Sequence, residues 1–228
     1  VKNLHIQFAI NPGLFLKDPN SSSLGKRIVS TSIEMIHDLG FEDFTFKKLG
    51  EAIGSPESSI YRYFESKHTL LVYLYSWYWC WIEYQLVFAT GSLDSPREKL
   101  EVAVKILTQT VKQDTSFSHV NEVLLSEIIM AESVKALHTK AVDTENTKGY
   151  FAVYKQVVRR VSNIVLELNP GYAYPNMLIS TLIEGAQQQR YFAEHLPALT
   201  DINKKEDNIY KFYKQLVFHE VIDEDVNN

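Results

Sequence analysis

The chain has 228 residues, 45% of them hydrophobic and 22% charged, with 23 Lys and Arg against 28 Asp and Glu. That composition excludes an intrinsically disordered chain, and the length suffices to bury a core without disulfide staples. A net charge of −5 argues against a broadly basic nucleic-acid binder, while the single cysteine, Cys80, excludes an internal disulfide framework or a cysteine-based zinc site and fits a reducing cytoplasm.

Residues 1–23 read as an irregular extension, with turn signals at Asn11-Pro12-Gly13 and Asp18-Pro19-Asn20. Its first residues lack the long apolar stretch of a signal peptide. From Leu24 the pattern is helical almost throughout. Val29, Ile33 and Ile36 recur at helical spacing up to a stop at Gly40. Thr45 caps a short helix whose inner face is expected to be Leu49, Ala52 and Ile53, ending at Gly54. Ser55-Pro56-Glu57 reads as the next start, with Ser55 as cap and Pro56 as the first helical residue. Ile60 and Phe64 face inward. Ser66 then opens a long helix with one stripe of Leu70, Leu74, Trp77, Trp81, Tyr84 and Phe88 and a second of Leu71, Tyr75, Tyr78 and Ile82. Its apolar run of 13 residues is shorter than the about 20 needed to span a membrane, so it reads as a buried helix.

Further helices are expected from Ser95-Pro96 to Val111, from Glu122 to about Ala136, from Thr147 to Leu168, from Pro175 to Leu196 and from Asn203 to about His219, before an acidic tail. The predicted fold is therefore all-α. Its organisation is an extension at 1–23, a three-helix domain at 24–72 and a larger helical domain at 73–228.

The informative stretch is Gly40 to Leu71. Two short helices joined at Gly54 and followed by a third make a helix-turn-helix layout, whose second helix can enter a major groove. Lys47 and Lys48 lie at the amino end of the first helix. The second presents Glu57, Ser58, Ser59 and Arg62 outward, with Tyr61 and Tyr63 between the inward residues. Small polar side chains at a helix tip let its backbone approach base edges, and flanking cations neutralise phosphates.

These residues resemble the amino-terminal domain of the TetR family of bacterial transcriptional regulators. The likeness rests on Gly40-Phe41, Phe44-Thr45, Leu49-Gly50, Ile53-Gly54, Ile60-Tyr61, Tyr63-Phe64, Ser66-Lys67 and Leu70 at the family's spacing, over about residues 24–75. The resemblance implies that Thr45 meets a phosphate and that Lys47 reaches bases. It implies that Glu57, Ser58 and Ser59 read sequence and that Tyr61, Tyr63 and Lys67 clamp the backbone, with Lys48 and Arg62 as additional contacts. Three departures stand out. Gly50 replaces the usual alanine at a cost of about 1 kcal/mol in helix propensity. Ser55-Pro56 replaces the usual turn, and Glu57 puts an acid at the tip. The charge is also uneven: residues 24–72 carry six basic and seven acidic groups, residues 73–228 fifteen and twenty.

By the same resemblance the larger domain binds a small-molecule effector, of unknown identity, and forms a homodimer that sets two reading helices on a pseudo-palindromic double-stranded DNA operator. Trp77, Trp81 and Tyr84 with Phe151 and Tyr154 are the candidate pocket residues. Leu178, Leu182, Gly185, Ala186 and Phe192, with Ile209, Phe212 and Leu216, are the candidate dimer face, with Gly185-Ala186 allowing a partner helix to approach closely. The expected function is a cytoplasmic, ligand-responsive repressor. The alternative is a dimeric ligand-binding or interaction protein of the same fold with weak or lost DNA binding. No phosphate loop, nucleophile elbow or metalloprotease motif is present, so no enzyme chemistry, cofactor or metal is expected. His119, His138 and His195 lack ligand spacing.

Overall fold

The computed structural model describes residues 8–113, 119–202 and 208–222. Every regular element among them is helical. Two short 3-10 turns, Pro12–Leu14 and Pro19–Ser21, precede α1 (Ser23–Asp43), α2 (Phe46–Ala52), α3 (Glu57–Ile60) and α4 (Lys67–Thr90). There follow α5 (Pro96–Thr108), α6 (Glu122–Leu137), α7 (Val142–Thr147), α8 (Ala152–Leu168), α9 (Pro175–His195), a 3-10 turn at Pro197–Leu199 and α10 (Ile209–Ile222). Among the described residues, no helix is long and apolar enough to cross a membrane.

The chain forms two compact units, residues 1–80 with 111–152, and residues 81–110 with 153–228. The division falls inside α4. In the first unit α1 is kinked by Gly40 (φ 77°), and α6 packs along α1. Three polar links fasten that contact. His37 hydrogen-bonds Asp38 (2.9 Å) and Glu127 on α6 (2.7 Å). The Phe41 N–H, left without a helical acceptor by the kink, donates to the largely buried carboxylate of Glu132 (3.0 Å). Lys135 pairs with both Glu132 (2.8 Å) and Glu42 (3.1 Å). His68, in the first turn of α4, meets Glu145 of α7 at 2.8 Å.

In the second unit α5, α9 and α10 pack on one another. Glu83, with a side chain 12% exposed, receives Arg160 and the Gln156 amide (2.9 Å) on the same oxygen. Lys214 and Tyr210 converge on Glu101. The Lys214 hydrogen bond is the main reason the Glu101 carboxyl sits below its ordinary range.

Three details depart from the sequence reading. Ala52 is exposed, and Phe46 takes the inward place beside Leu49. Phe88 ends the α4 stripe at 78% exposed, so the buried run stops earlier. The helix expected from Thr147 starts at Ala152, because Gly149 (φ 79°) separates it from α7. The last helix is described only from Ile209; residues 203–207 and the acidic tail lie outside the described residues, as do the first seven.

Candidate nucleic-acid interface

The interface is built from the inside out. Phe44, Leu49, Ile60 and Phe64 are fully buried, each worth about 1.5–3 kcal/mol of burial, and they hold α2 against α3. Thr45 caps α2, its hydroxyl accepting from the Lys48 N–H at 3.2 Å. Gly54 (φ 63°) turns the chain. Gly50 is explained by what lies over it: a Cβ there would come within 2.6 Å of the Ser55 carbonyl oxygen and 3.2 Å of the Glu57 nitrogen. The turn closes onto bare backbone, with the Ser55 N–H donating to the Gly50 carbonyl at 2.9 Å. The expected Ser55 cap is absent. α3 starts at Glu57 with Pro56 as its cap residue, and no side chain caps it.

This scaffold leaves Thr45, Lys47, Lys48, Ser58, Tyr61 and Arg62 exposed, with Glu57 and Ser59 half-exposed. Lys47, Ser58 and Arg62 have no hydrogen-bond partner among the described residues. Lys48 is tethered to the Asp43 carbonyl at 2.8 Å. The Tyr61 ring leans edge-on against Phe46 at 5.0 Å.

Two residues expected to clamp a DNA backbone are turned inward. Lys67 donates to the carbonyls of Phe41 (3.0 Å), Glu42 (3.0 Å) and Phe44 (3.3 Å), so all three of its protons close the end of α1. Tyr63 is 3% exposed; its hydroxyl shares a 2.8 Å hydrogen bond with Ser22 and its carbonyl accepts from the Leu16 N–H at 2.8 Å. The Ser22 bond, aided by Lys17 and Arg62, holds this phenol below its ordinary range. The motif signals neither arrangement: Ser22 and Leu16, which engage Tyr63, lie outside it, and the Lys67 acceptors are backbone carbonyls.

The candidate pocket residues divide between the two units. Trp77 and Phe151 are buried in the first, where Trp77 meets Phe8 edge-on at 5.2 Å and Phe151 meets Tyr75 at 6.2 Å. Trp81 is buried in the second, where Tyr84 and Tyr154 are half-buried. The Tyr154 hydroxyl donates to Glu184 at 2.6 Å, and burial raises its pKa. The first unit holds a cavity of about 290 Å³ lined by Phe8, Ala9, Ile10, Phe15, Asp18, Asn20 and Tyr73, none of them among the five.

The candidate dimer face is only partly at the surface. Leu182, Ala186 and Ile209 are buried within the chain, so they are not available to a second copy. The Gly185 approach serves the chain itself: a Cβ there would overlap the Tyr213 hydroxyl of α10. Leu178, Gly185 and Phe192 are half-buried, while Phe212 (57%) and Leu216 (37%) are exposed.

A helix-turn-helix head at the amino end of an all-helical chain defines the class. Residues 28–74 match the family described as bacterial regulatory proteins, tetR family, and the chain carries that family's amino-terminal domain. Solved structures share the fold over most of their length. The superantigen PfiT is 16% identical, over 89% of this chain and 97% of that one, at a TM-score of 0.56. The fatty acid degradation regulator FadR from Bacillus halodurans is 14% identical, over 86% and 93%, at 0.57. AibR in complex with isovaleryl coenzyme A and operator DNA is 13% identical, over 85% and 96%, at 0.53. At these identities the likeness is one of fold. No curated protein matches the sequence.

Proposed function

We propose that the protein is a cytoplasmic, ligand-responsive transcriptional regulator, a repressor, that acts as a homodimer on a pseudo-palindromic operator. The observation that carries this reading is the exposed set Lys47, Ser58 and Arg62 on a head matching the TetR family, none of whose side chains is hydrogen-bonded among the described residues. Ser58 reads bases at the tip of α3; Lys47 and Arg62 supply cations; Thr45 and Tyr61 complete the phosphate side. Lys67 contributes by fixing α1 to the start of α4. Phe212 and Leu216 supply the exposed apolar part of the dimer contact. The effector is a small molecule with an apolar body, the chemistry Trp81, Tyr84 and Tyr154 would receive. The head is poor in unpaired cations, so affinity rests on a few contacts and on pairing two heads.

The test is fluorescence anisotropy with duplexes selected from a random pool, at several salt concentrations. Sequence-selective binding that falls with salt is expected, and Ser58→Ala should change the preferred sequence. A second reading, a dimeric ligand-binding or interaction protein with lost DNA affinity, is favoured by the inward Tyr63 and Lys67. Absence of salt-dependent binding would decide for it.

A further inference from the structure

We propose that Lys17, on the irregular segment before α1, is a DNA-phosphate contact of the reading head, delivered by a segment that is tied down at both ends. The inference rests on the DNA-binding reading above. It starts from Tyr63, whose expected phosphate-clamping hydroxyl is covered. What covers it is the segment itself. The Leu16 N–H pairs with the Tyr63 carbonyl at 2.8 Å, and Ser22 shares the Tyr63 hydroxyl bond at 2.8 Å. Between those two fastenings Lys17 is exposed, its ammonium 5.1 Å from the centre of the Tyr63 ring. Lys17 also reaches the Tyr63 hydroxyl, and after the larger effect of the Ser22 hydrogen bond, Lys17 and Arg62 both lower that phenol's pKa.

The segment is not a free tail. At its far end the Asn11 side chain donates to the Lys148 carbonyl (2.9 Å), and the Tyr150 hydroxyl donates to the Gly13 carbonyl (2.8 Å). Leu14 is fully buried and Pro19 largely so. Asp18, the next residue, caps the turn by accepting the Asn20 N–H at 2.8 Å. A cation held this way loses less entropy on meeting a phosphate than one on a loose arm. It also fills a need of the head, where Lys48 and Lys67 already donate to backbone carbonyls.

The experiment measures binding of a short mixed-sequence duplex over a salt series with the full chain, Lys17→Met and Lys17→Arg. Methionine keeps the stem over Tyr63 and removes the charge. The methionine variant is expected to bind about threefold to tenfold more weakly at low salt, with the slope of log affinity against log salt reduced by about one. Arginine restores both. Tyr150→Phe, which removes one of the two far ties, should weaken the parent but leave Lys17→Met unchanged. Parent binding with an unaltered slope in Lys17→Met overturns the inference alone, even if the melting temperature falls, because Lys17 would then only pack. Equal losses in the Arg and Met variants overturn it too. A parent that binds no duplex overturns this inference together with the DNA-binding reading.

Discussion

The two helix pairs α2–α3 and α9–α10 each close over a glycine, and they do so across very different stretches of chain. Gly50 lies under the backbone of Ser55 and Glu57, in the turn that follows its own helix. Gly185 lies under the side chain of Tyr213, on the next long helix. In the first case the close approach is local and belongs to the motif that spaces α2 from α3. In the second it is made by tertiary packing alone. The same residue type therefore carries readable information only where its partner is a near neighbour. At Gly185 the sequence pattern is read as a dimer contact, and the chain's own tyrosine occupies the place.

The difference should show most strongly at Gly50. Alanine there gains about 1 kcal/mol of helix propensity. Its Cβ, however, would press on the carbonyl of Ser55 at 2.6 Å, and a main-chain atom cannot swing away. We expect Gly50→Ala to destabilise the protein by about 1–3 kcal/mol, as overpacking does, and to open the turn that aims α3. Urea denaturation measures the first effect. Loss of duplex binding in protein that is still folded measures the second. An alanine variant as stable as the parent would mean that the turn relaxes freely, and the proposed reason for the family departure at this position would fall.

Gly185→Ala should cost less, about 1 kcal/mol, because the atom it meets is the end of a side chain. The comparison becomes quantitative with Tyr213→Phe. Removing the hydroxyl leaves the next ring atom 3.2 Å from the added Cβ, a tight but tolerable contact. The double variant should therefore recover most of the loss, giving a coupling between the two sites of about 0.5–1 kcal/mol in a double-mutant cycle. Additive losses would show that Gly185 answers to something other than Tyr213, and the second-subunit explanation would return.

The same contrast explains how far sequence reading reached. Capping by Thr45, the start of α5 at Ser95-Pro96 and the inward pair Ile60 and Phe64 are set by residues within a turn or two, and all were legible. The covered hydroxyl of Tyr63 was not, since its partner Ser22 lies 41 residues away. The inward Lys67 was hidden for a different reason: its acceptors are carbonyls, which carry no sequence signal at all. α4 defeated the reading differently. Every residue from Leu70 to Ile82 is buried, so its periodicity marks no face and cannot separate core from pocket.

The smallest effect concerns a long-range link that is polar rather than steric. His37 joins α1 to α6 through Glu127 and also meets Asp38 next to it, across 90 residues in the first case. Its pKa is raised above 6.5, mainly by the Asp38 hydrogen bond with Glu127 adding, against a lowering by burial. A raised folded-state pKa means that the protonated form is favoured by folding. The contribution is therefore complete below the unfolded value of 6.5 and disappears as pH rises through the folded value. The group is a third exposed, so the stability change is small. Melting temperatures of the parent and His37→Gln should differ in mildly acidic buffer and converge in mildly alkaline buffer. Glu127→Gln should reduce that convergence without removing it, since Asp38 remains. A gap that persists unchanged at alkaline pH would show that His37 acts by shape, like the two glycines, and not by charge.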